Sequence, residues 1–244
     1  MIILILLQEI NFVYLYRFSY KYYCKRSMSL STFVFVLLVF CIPYLGFIRN
    51  SIKPRQGFSI LFLSLICTTG LINFDIFIIA SLLLLIFSIF TKNKIIEIFL
   101  FFVSFLILNS ILLNSFETEF LNYILKYILP ISLISGVFSL MMIGHWFLVD
   151  PTISKEGMKK IAIFTSVQPL LIIPLVYFNY LTDDISYIYK LVIMFLYLST
   201  AILSFASYKS LNEKSYTGVM AATGLSYLSL IVSIGASGTL LLLS

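Results

Sequence analysis

His145 is the only histidine in the chain, and it stands beside the only tryptophan, Trp146, near the end of an apolar run. An imidazole in this position could form a hydrogen bond with a quinone-like carbonyl or ligate a haem iron. It could equally be an interfacial residue in an aromatic belt, where tryptophan is enriched. The residue types alone leave both interpretations open.

Three more side chains could share a site with His145, because they lie at a similar predicted depth in their helices. His145 is four residues from the predicted cytoplasmic end of its helix, and Gln168 is seven residues from the start of the next. At about 1.5 Å per residue these depths are comparable, and the last apolar run places Thr223 and Tyr227 in the same layer. We therefore predict a ligand-binding pocket in the inner leaflet, formed by His145, Trp146, Gln168, Thr223 and Tyr227.

Two kinds of ligand fit the predicted pocket. A small apolar molecule with a carbonyl group, such as a quinone, would bond to His145 and Gln168. A haem would take His145 as one axial ligand and Met220 as the other. The sequence does not decide the cofactor.

Other chemistries lack the residues that they require. One histidine and no clustered carboxylates exclude a di-metal centre, a zincin and a bis-histidine haem within the chain. The three cysteines, Cys24, Cys41 and Cys67, are too far apart in sequence to suggest a zinc or disulfide framework. We predict no catalytic residues and no metal site, and a non-enzyme is favoured.

Composition indicates an integral membrane protein. Apolar residues make up 61% of the chain, charged residues only 11%, and a soluble domain has roughly 25% charged residues. The apolar runs are continuous rather than alternating, which favours helices over a barrel. The net charge of +6 comes largely from short loops, so it indicates membrane orientation and not a nucleic-acid partner.

A helix needs about 20 apolar residues to cross the hydrocarbon core. The sequence therefore predicts an all-α, polytopic transmembrane bundle with a single domain over residues 28–244. Its eight spans are predicted near 30–48, 57–73, 75–91, 95–113, 124–149, 161–181, 187–207 and 216–243. Basic residues are concentrated in the loops after spans one, three, five and seven, which places those loops in the cytoplasm.

Residues 1–27 depart from this charge pattern. They contain Arg17, Lys21, Lys25 and Arg26 on the predicted outer side, and Gln8, Glu9 and Asn11 interrupt their apolar stretch. One interpretation is an extra ninth helix or an interfacial anchor. The other is that translation begins at Met28 and that the preceding residues are not part of the working protein.

Small residues recur at helical spacing in two of the predicted spans. Gly136, with neighbouring serines, forms such a face on the fifth span. The last span carries a stripe that includes Gly218, Ala222, Ser229 and Ser233. Small residues let helix backbones approach closely, so we predict helix packing at these positions and contact between the fifth and last spans.

The segment around His145 also resembles a pattern in other proteins. Gly144-His145-Trp146-Phe147-Leu148, followed by Pro151, is similar to a Gly-His-Trp-(Phe/Tyr)-Leu segment with a following proline in uncharacterised multi-span membrane proteins of prokaryotes. The resemblance covers residues 144–151 of the 244 and implies no activity. It implies a recurring element at His145 and Trp146, and we expect the cytoplasmic membrane of a prokaryote as the location.

Three functional hypotheses follow. The first is a non-catalytic accessory or assembly component of a membrane complex, with the lipid bilayer and membrane-protein subunits as partners. The alternative is a binder of a quinone-like molecule or haem around His145. A transporter or a lipid-modifying enzyme is the third.

Overall fold

The computed structural model describes residues 30–51, 56–72, 75–91, 93–116, 120–151, 154–181, 186–213 and 215–243. The chain divides into two units, Met1–Leu30 and Ser31–Ser244, and the second contains the described helices apart from Leu30. The predicted extension over residues 1–27, with both of its interpretations, lies outside the described residues.

Within these residues the chain forms eight helices and no strand, so the all-helical prediction is confirmed. The helices are α1 (Leu30–Ser51), α2 (Gln56–Ile72), α3 (Ile76–Phe90), α4 (Lys94–Phe116), α5 (Phe120–Val149), α6 (Glu156–Tyr177), α7 (Tyr187–Leu211) and α8 (Tyr216–Leu243). A helix forms at each predicted apolar run, because only a helix satisfies every backbone polar group within one such segment.

Five of these helices, α4 to α8, are long and apolar enough to cross a membrane, judged by length and composition. The fold therefore fits a helical membrane protein, but it does not support the predicted eight spans. Helices α2 and α3 have 17 and 15 residues, which is short of the roughly 20 that a crossing requires. In α1 the described apolar part covers only Ser31–Gly46.

The last four helices pack as a closed ring. Helix α5 contacts α6, α6 contacts α7, α7 contacts α8, and α8 returns to α5. Short connections make sequence neighbours antiparallel, as in an up-down four-helix bundle. The ring encloses an apolar cluster of Leu133, Val137, Ile172, Val176, Leu181, Ile193, Tyr197, Ala236 and Leu240.

Helix α1 lies between this ring and α4. Its Val39, Ile42 and Leu45 side chains are completely buried. On one side the Ser135 hydroxyl of α5 donates to the Leu37 carbonyl at 2.9 Å. On the other, the rings of Phe40 and Phe105 of α4 meet edge to face with centroids 5.8 Å apart.

The predicted small residues of α8 are buried, and three of them face α7. The Ser229 hydroxyl is 2.9 Å from that of Ser204, and the Ala222 carbonyl accepts from Ser207 at 3.2 Å. A Cβ added to Gly218 would lie 2.5 Å from the Ser210 carbonyl oxygen. The hydroxyl of the fourth residue, Ser233, bonds within its own helix, to the Leu230 carbonyl.

Helices α5 and α8 do pack together, but through different residues from those predicted. A Cβ on Gly136 of α5 would lie 2.7 Å from Thr165 of α6 and 2.9 Å from Tyr44 of α1. The close approach of α5 to α8 is at Gly144, where a Cβ would lie 2.4 Å from the Thr223 hydroxyl. A stripe of small residues indicates where a backbone can approach, but the bundle decides which helix does so.

Candidate functional site

One end of the four-helix ring is basic, and we call it the lysine end. Here α5 ends at Val149, α6 begins at Glu156, α7 ends at Leu211 and α8 begins at Tyr216. The lysines described at this end are Lys155, Lys159, Lys160 and Lys209. The Lys155 ammonium donates to the carbonyls of Glu213 at 2.9 Å and Ser215 at 3.2 Å. This lysine therefore joins the α5–α6 loop to the α7–α8 loop.

Four of the five predicted ligand residues gather near the lysine end, and we call them the histidine site: His145, Trp146, Thr223 and Tyr227. The Tyr227 hydroxyl is 3.5 Å from His145 Nδ1, and the two rings meet edge to face with centroids 6.4 Å apart. Thr223 lies against Gly144, and its hydroxyl bonds to the Val219 carbonyl at 2.8 Å. His145 and Tyr227 are both exposed at the surface of the ring.

The contact between Tyr227 and His145 restricts what the imidazole can do. If the tyrosine hydroxyl donates to Nδ1, then in the neutral ring Nε2 carries the proton and can donate to a ligand carbonyl. If Nδ1 donates instead, Nε2 becomes an acceptor or a metal ligand. At 3.5 Å the bond is at the long limit for a hydrogen bond, so a ligand can compete for either ring.

Trp146 is half-buried, and its indole Nε1 has no hydrogen-bond partner among the described residues. Indole N–H is a donor only, so this group lacks an acceptor. Near it in sequence, the Phe147 ring lies 6.4 Å from the Tyr216 ring and 5.8 Å from the Lys155 ammonium. Phe147, which follows the site in sequence, therefore packs near Tyr216 and Lys155 at the lysine end.

Gln168 does not belong to the histidine site, so the prediction that it shares the depth of His145 is wrong. Its amide Nε2 donates to the Leu129 carbonyl at 2.9 Å and to the Ser132 hydroxyl at 2.6 Å. These residues precede His145 in α5 by about 13 to 16 positions, or roughly 20 Å along the axis. Helix α6 begins at Glu156 and not at Ile161, so Gln168 lies twelve residues from the start of its helix and not seven, about 8 Å deeper than predicted.

Gln168 instead belongs to a set of buried polar groups that we call the polar layer: Leu129, Pro130 and Ser132 of α5, Gln168 of α6, Tyr197 of α7 and Ser237 of α8. The Ser237 hydroxyl donates to the Pro130 carbonyl at 3.2 Å, and the Tyr197 and Ser237 hydroxyls are 3.1 Å apart. Gln168 of α6 and Ser237 of α8 therefore bond to the backbone of α5, and Tyr197 of α7 is joined to it through Ser237. The polar layer thus links all four helices of the ring.

The backbone of α5 is irregular next to this layer. Residues Tyr123–Ile128 are π-helical, and the Leu129 N–H bonds to the Ile124 carbonyl five residues earlier. Pro130 follows immediately and has no N–H to donate, which disturbs the regular bonding pattern. Pro130 and the Gln168-Pro169 pair are the sequence features that could have indicated this layer.

One acceptor in the polar layer is unsatisfied. Gln168 is only 4% exposed, and its Oε1 has no hydrogen-bond partner among the described residues. The orientation of its amide follows from the Leu129 carbonyl, which can only accept, so Nε2 must face it. A buried carbonyl without a donor costs about 1–3 kcal/mol.

The geometry of the histidine site gives little support to the ligation of a metal ion or a haem. Within the described ranges no group of three His, Cys, Asp or Glu side chains is arranged to hold a metal ion. Met220, the predicted second haem ligand, is half exposed and precedes Tyr227 by two helical turns, roughly 10 Å. The histidine site is better suited to hydrogen bonding than to axial ligation.

Fold and composition together define the class: an all-helical protein with five helices that suit a membrane. No known protein family, curated protein or solved structure matches the chain. The features of the molecule that bear on its function are therefore the polar layer, the histidine site and the surface of the ring.

Proposed function

We propose that this protein is a non-catalytic helical membrane protein that serves as an accessory or assembly component of a membrane complex. The proposed location is a cytoplasmic membrane, with the lysine end facing the cytoplasm because basic residues are retained on that side.

One observation supports this proposal above the others. Every buried serine and threonine hydroxyl in the described helices, except that of Ser139, bonds to a backbone carbonyl or to another hydroxyl. Such bonds hold helices together or cap carbonyls within a helix. These buried hydroxyls therefore contribute to the packing of the bundle, which supports a structural role.

The proposal predicts that the protein at its natural expression level belongs to a larger particle. Membranes containing it would be solubilised in a mild detergent and run on a native gel beside the purified, overexpressed chain of 28.0 kDa in the same detergent. We expect the native-level sample to migrate at a clearly larger mass. A homo-oligomer would give the same mass in both samples, and equal masses would therefore contradict the accessory role.

A second candidate function is the binding of a quinone-like molecule at the histidine site. It is favoured by the 3.5 Å contact between Tyr227 and His145 Nδ1, which leaves Nε2 available to a ligand carbonyl. The half-buried Trp146 ring beside it would stack against or border a flat ligand.

This candidate can be tested through Trp146, because the chain has no other tryptophan. Titration with a short-chain quinone should quench its fluorescence to saturation, and His145→Ala should weaken the binding about tenfold, the effect of one good hydrogen bond in a membrane. Tyr189→Phe, an exposed tyrosine at the opposite end of α7, is the control and should bind as the natural chain does. If quenching were equal and did not saturate in all three proteins, the quinone would only be partitioning into the detergent. That result would exclude this site.

A further inference from the structure

A long apolar groove runs between α6 and α7 on the outer surface of the ring. It has a volume of about 540 Å³. Its walls are Ile163, Ser166, Val167 and Leu170 from α6, and Leu198, Ala201, Ile202, Phe205 and Tyr208 from α7. The residues on each helix are spaced three or four apart, so each wall is one stripe, and the α7 stripe extends for about 15 Å.

The groove leads toward the lysine end. Tyr208 is three residues from the end of α7, and the Lys209 ammonium lies 5.4 Å from the centre of the Phe205 ring, which forms part of the wall. On α6, Lys160 stands one turn before Ile163 and is exposed. Two lysines, one from each helix, therefore lie at the same end of an apolar channel.

The nearby carboxylates do not line the groove. Among the described residues the lysine end carries Asp150, Glu156 and Glu213. Glu156 pairs with Lys159 at 3.7 Å, and Glu213 lies beside Gly218 at the start of α8. None of the residues that line the groove is a carboxylate, and the exposed Lys209 gives its mouth a basic side chain, while its length is apolar.

We propose that this groove binds an anionic phospholipid, with one acyl chain between α6 and α7 and the phosphate group near Lys209 and Lys160. Basic residues between helices on the cytoplasmic side recognise anionic head groups in this way, and the exposed apolar walls suit a hydrocarbon chain. The inference rests on the proposed membrane location but not on the accessory role.

The test is native mass spectrometry of the purified chain with phosphatidylglycerol or phosphatidylcholine of identical acyl chains. We expect phosphatidylglycerol to bind about fivefold more tightly, the factor for one lysine near an anionic surface. Lys209→Gln should remove most of this preference without changing the binding of phosphatidylcholine. Val167→Phe, which places an aromatic ring in the groove, should weaken the binding of both lipids.

The matched control is Lys190→Gln, which removes an equal charge at the opposite end of α7, where Lys190 contacts Asn179. It should retain the preference. If the two lipids bind equally, or if both lysine variants lose the same amount, the groove has no head-group site and the inference fails. Washing membranes with alkaline carbonate tests the location separately: release of the protein would contradict the membrane proposal, whatever the lipid result.

Discussion

Gly144→Leu is expected to lower the free energy of unfolding by about 3 kcal/mol, at the upper end of the usual cost of overpacking. A Cβ at this position would lie 2.4 Å from the Thr223 hydroxyl and 3.1 Å from the Thr223 Cβ. The Thr223 hydroxyl can rotate away, but its Cβ can move only with the backbone of α8. Gly144→Ala should therefore cost less, about 1 kcal/mol, and leucine should force α5 and α8 apart.

The measurement is denaturant unfolding in mixed micelles, followed by helical circular dichroism. Gly224 provides the control, because it is next to Thr223 in α8 and a Cβ there would meet nothing within 4 Å. Gly224→Ala should be neutral or stabilise by up to about 1 kcal/mol, since alanine restricts the unfolded chain. Equal losses for the alanine variants of both glycines would show that close packing at Gly144 is not the cause.

Gln168→Ala is expected to destabilise the bundle by about 2–3 kcal/mol, the combined effect of a core cavity and lost interhelical bonds. The substitution removes the donor to the Leu129 carbonyl and the Ser132 hydroxyl. Gln168→Leu should cost about 1 kcal/mol or less. Leucine fills most of the volume and also removes the unsatisfied Oε1, whose burial is itself unfavourable.

Asn109→Ala is the matched control for the loss of an amide. The Asn109 side chain is half-buried in α4, and its Nδ2 donates to the Phe105 carbonyl of the same helix at 2.9 Å. Because this bond joins no second helix, we expect a loss below about 1 kcal/mol in the same unfolding experiment. If Gln168→Ala were as mild as Asn109→Ala, the polar layer would contribute little to holding the four helices together.

Much of the secondary structure could be predicted because its causes are local. Each continuous apolar run forms a helix, since the backbone groups must bond within the segment, and charged or proline-containing stretches such as residues 150–156 interrupt the runs. Tyr227 and His145 were placed in one layer and are in contact, although His145 lies four residues from the end of α5 and Tyr227 eleven residues from the start of α8. Distance along a helix is proportional to residue number, so the sequence gives the depth of a residue below the end of its own helix, but not how far the ends of two helices are offset.

Gln168 shows what the depth of a residue leaves open. Helix α6 begins at Glu156 and not at Ile161, so Gln168 lies twelve residues into its helix and not seven, yet Tyr227 lies eleven residues into α8 and still reaches His145. The apolar run alone did not reveal the true start of α6, because the helix begins before the run and already buries Gly157 and Met158. The number of helices long enough to cross a membrane likewise depended on where α1, α2 and α3 begin and end.

Composition and the length of the apolar runs are enough to specify an apolar, all-helical chain with a basic end and a single histidine, because neither depends on which helices meet. The partners are specified only when the helices pack: Gly144 against Thr223, Ser229 against Ser204, and Gln168 against the backbone beside Pro130. A helix offers several faces of nearly equal apolar character, and the sequence does not rank them. The choice is made by close packing and by the bonds that buried polar groups must find, which arise only when all the helices are assembled.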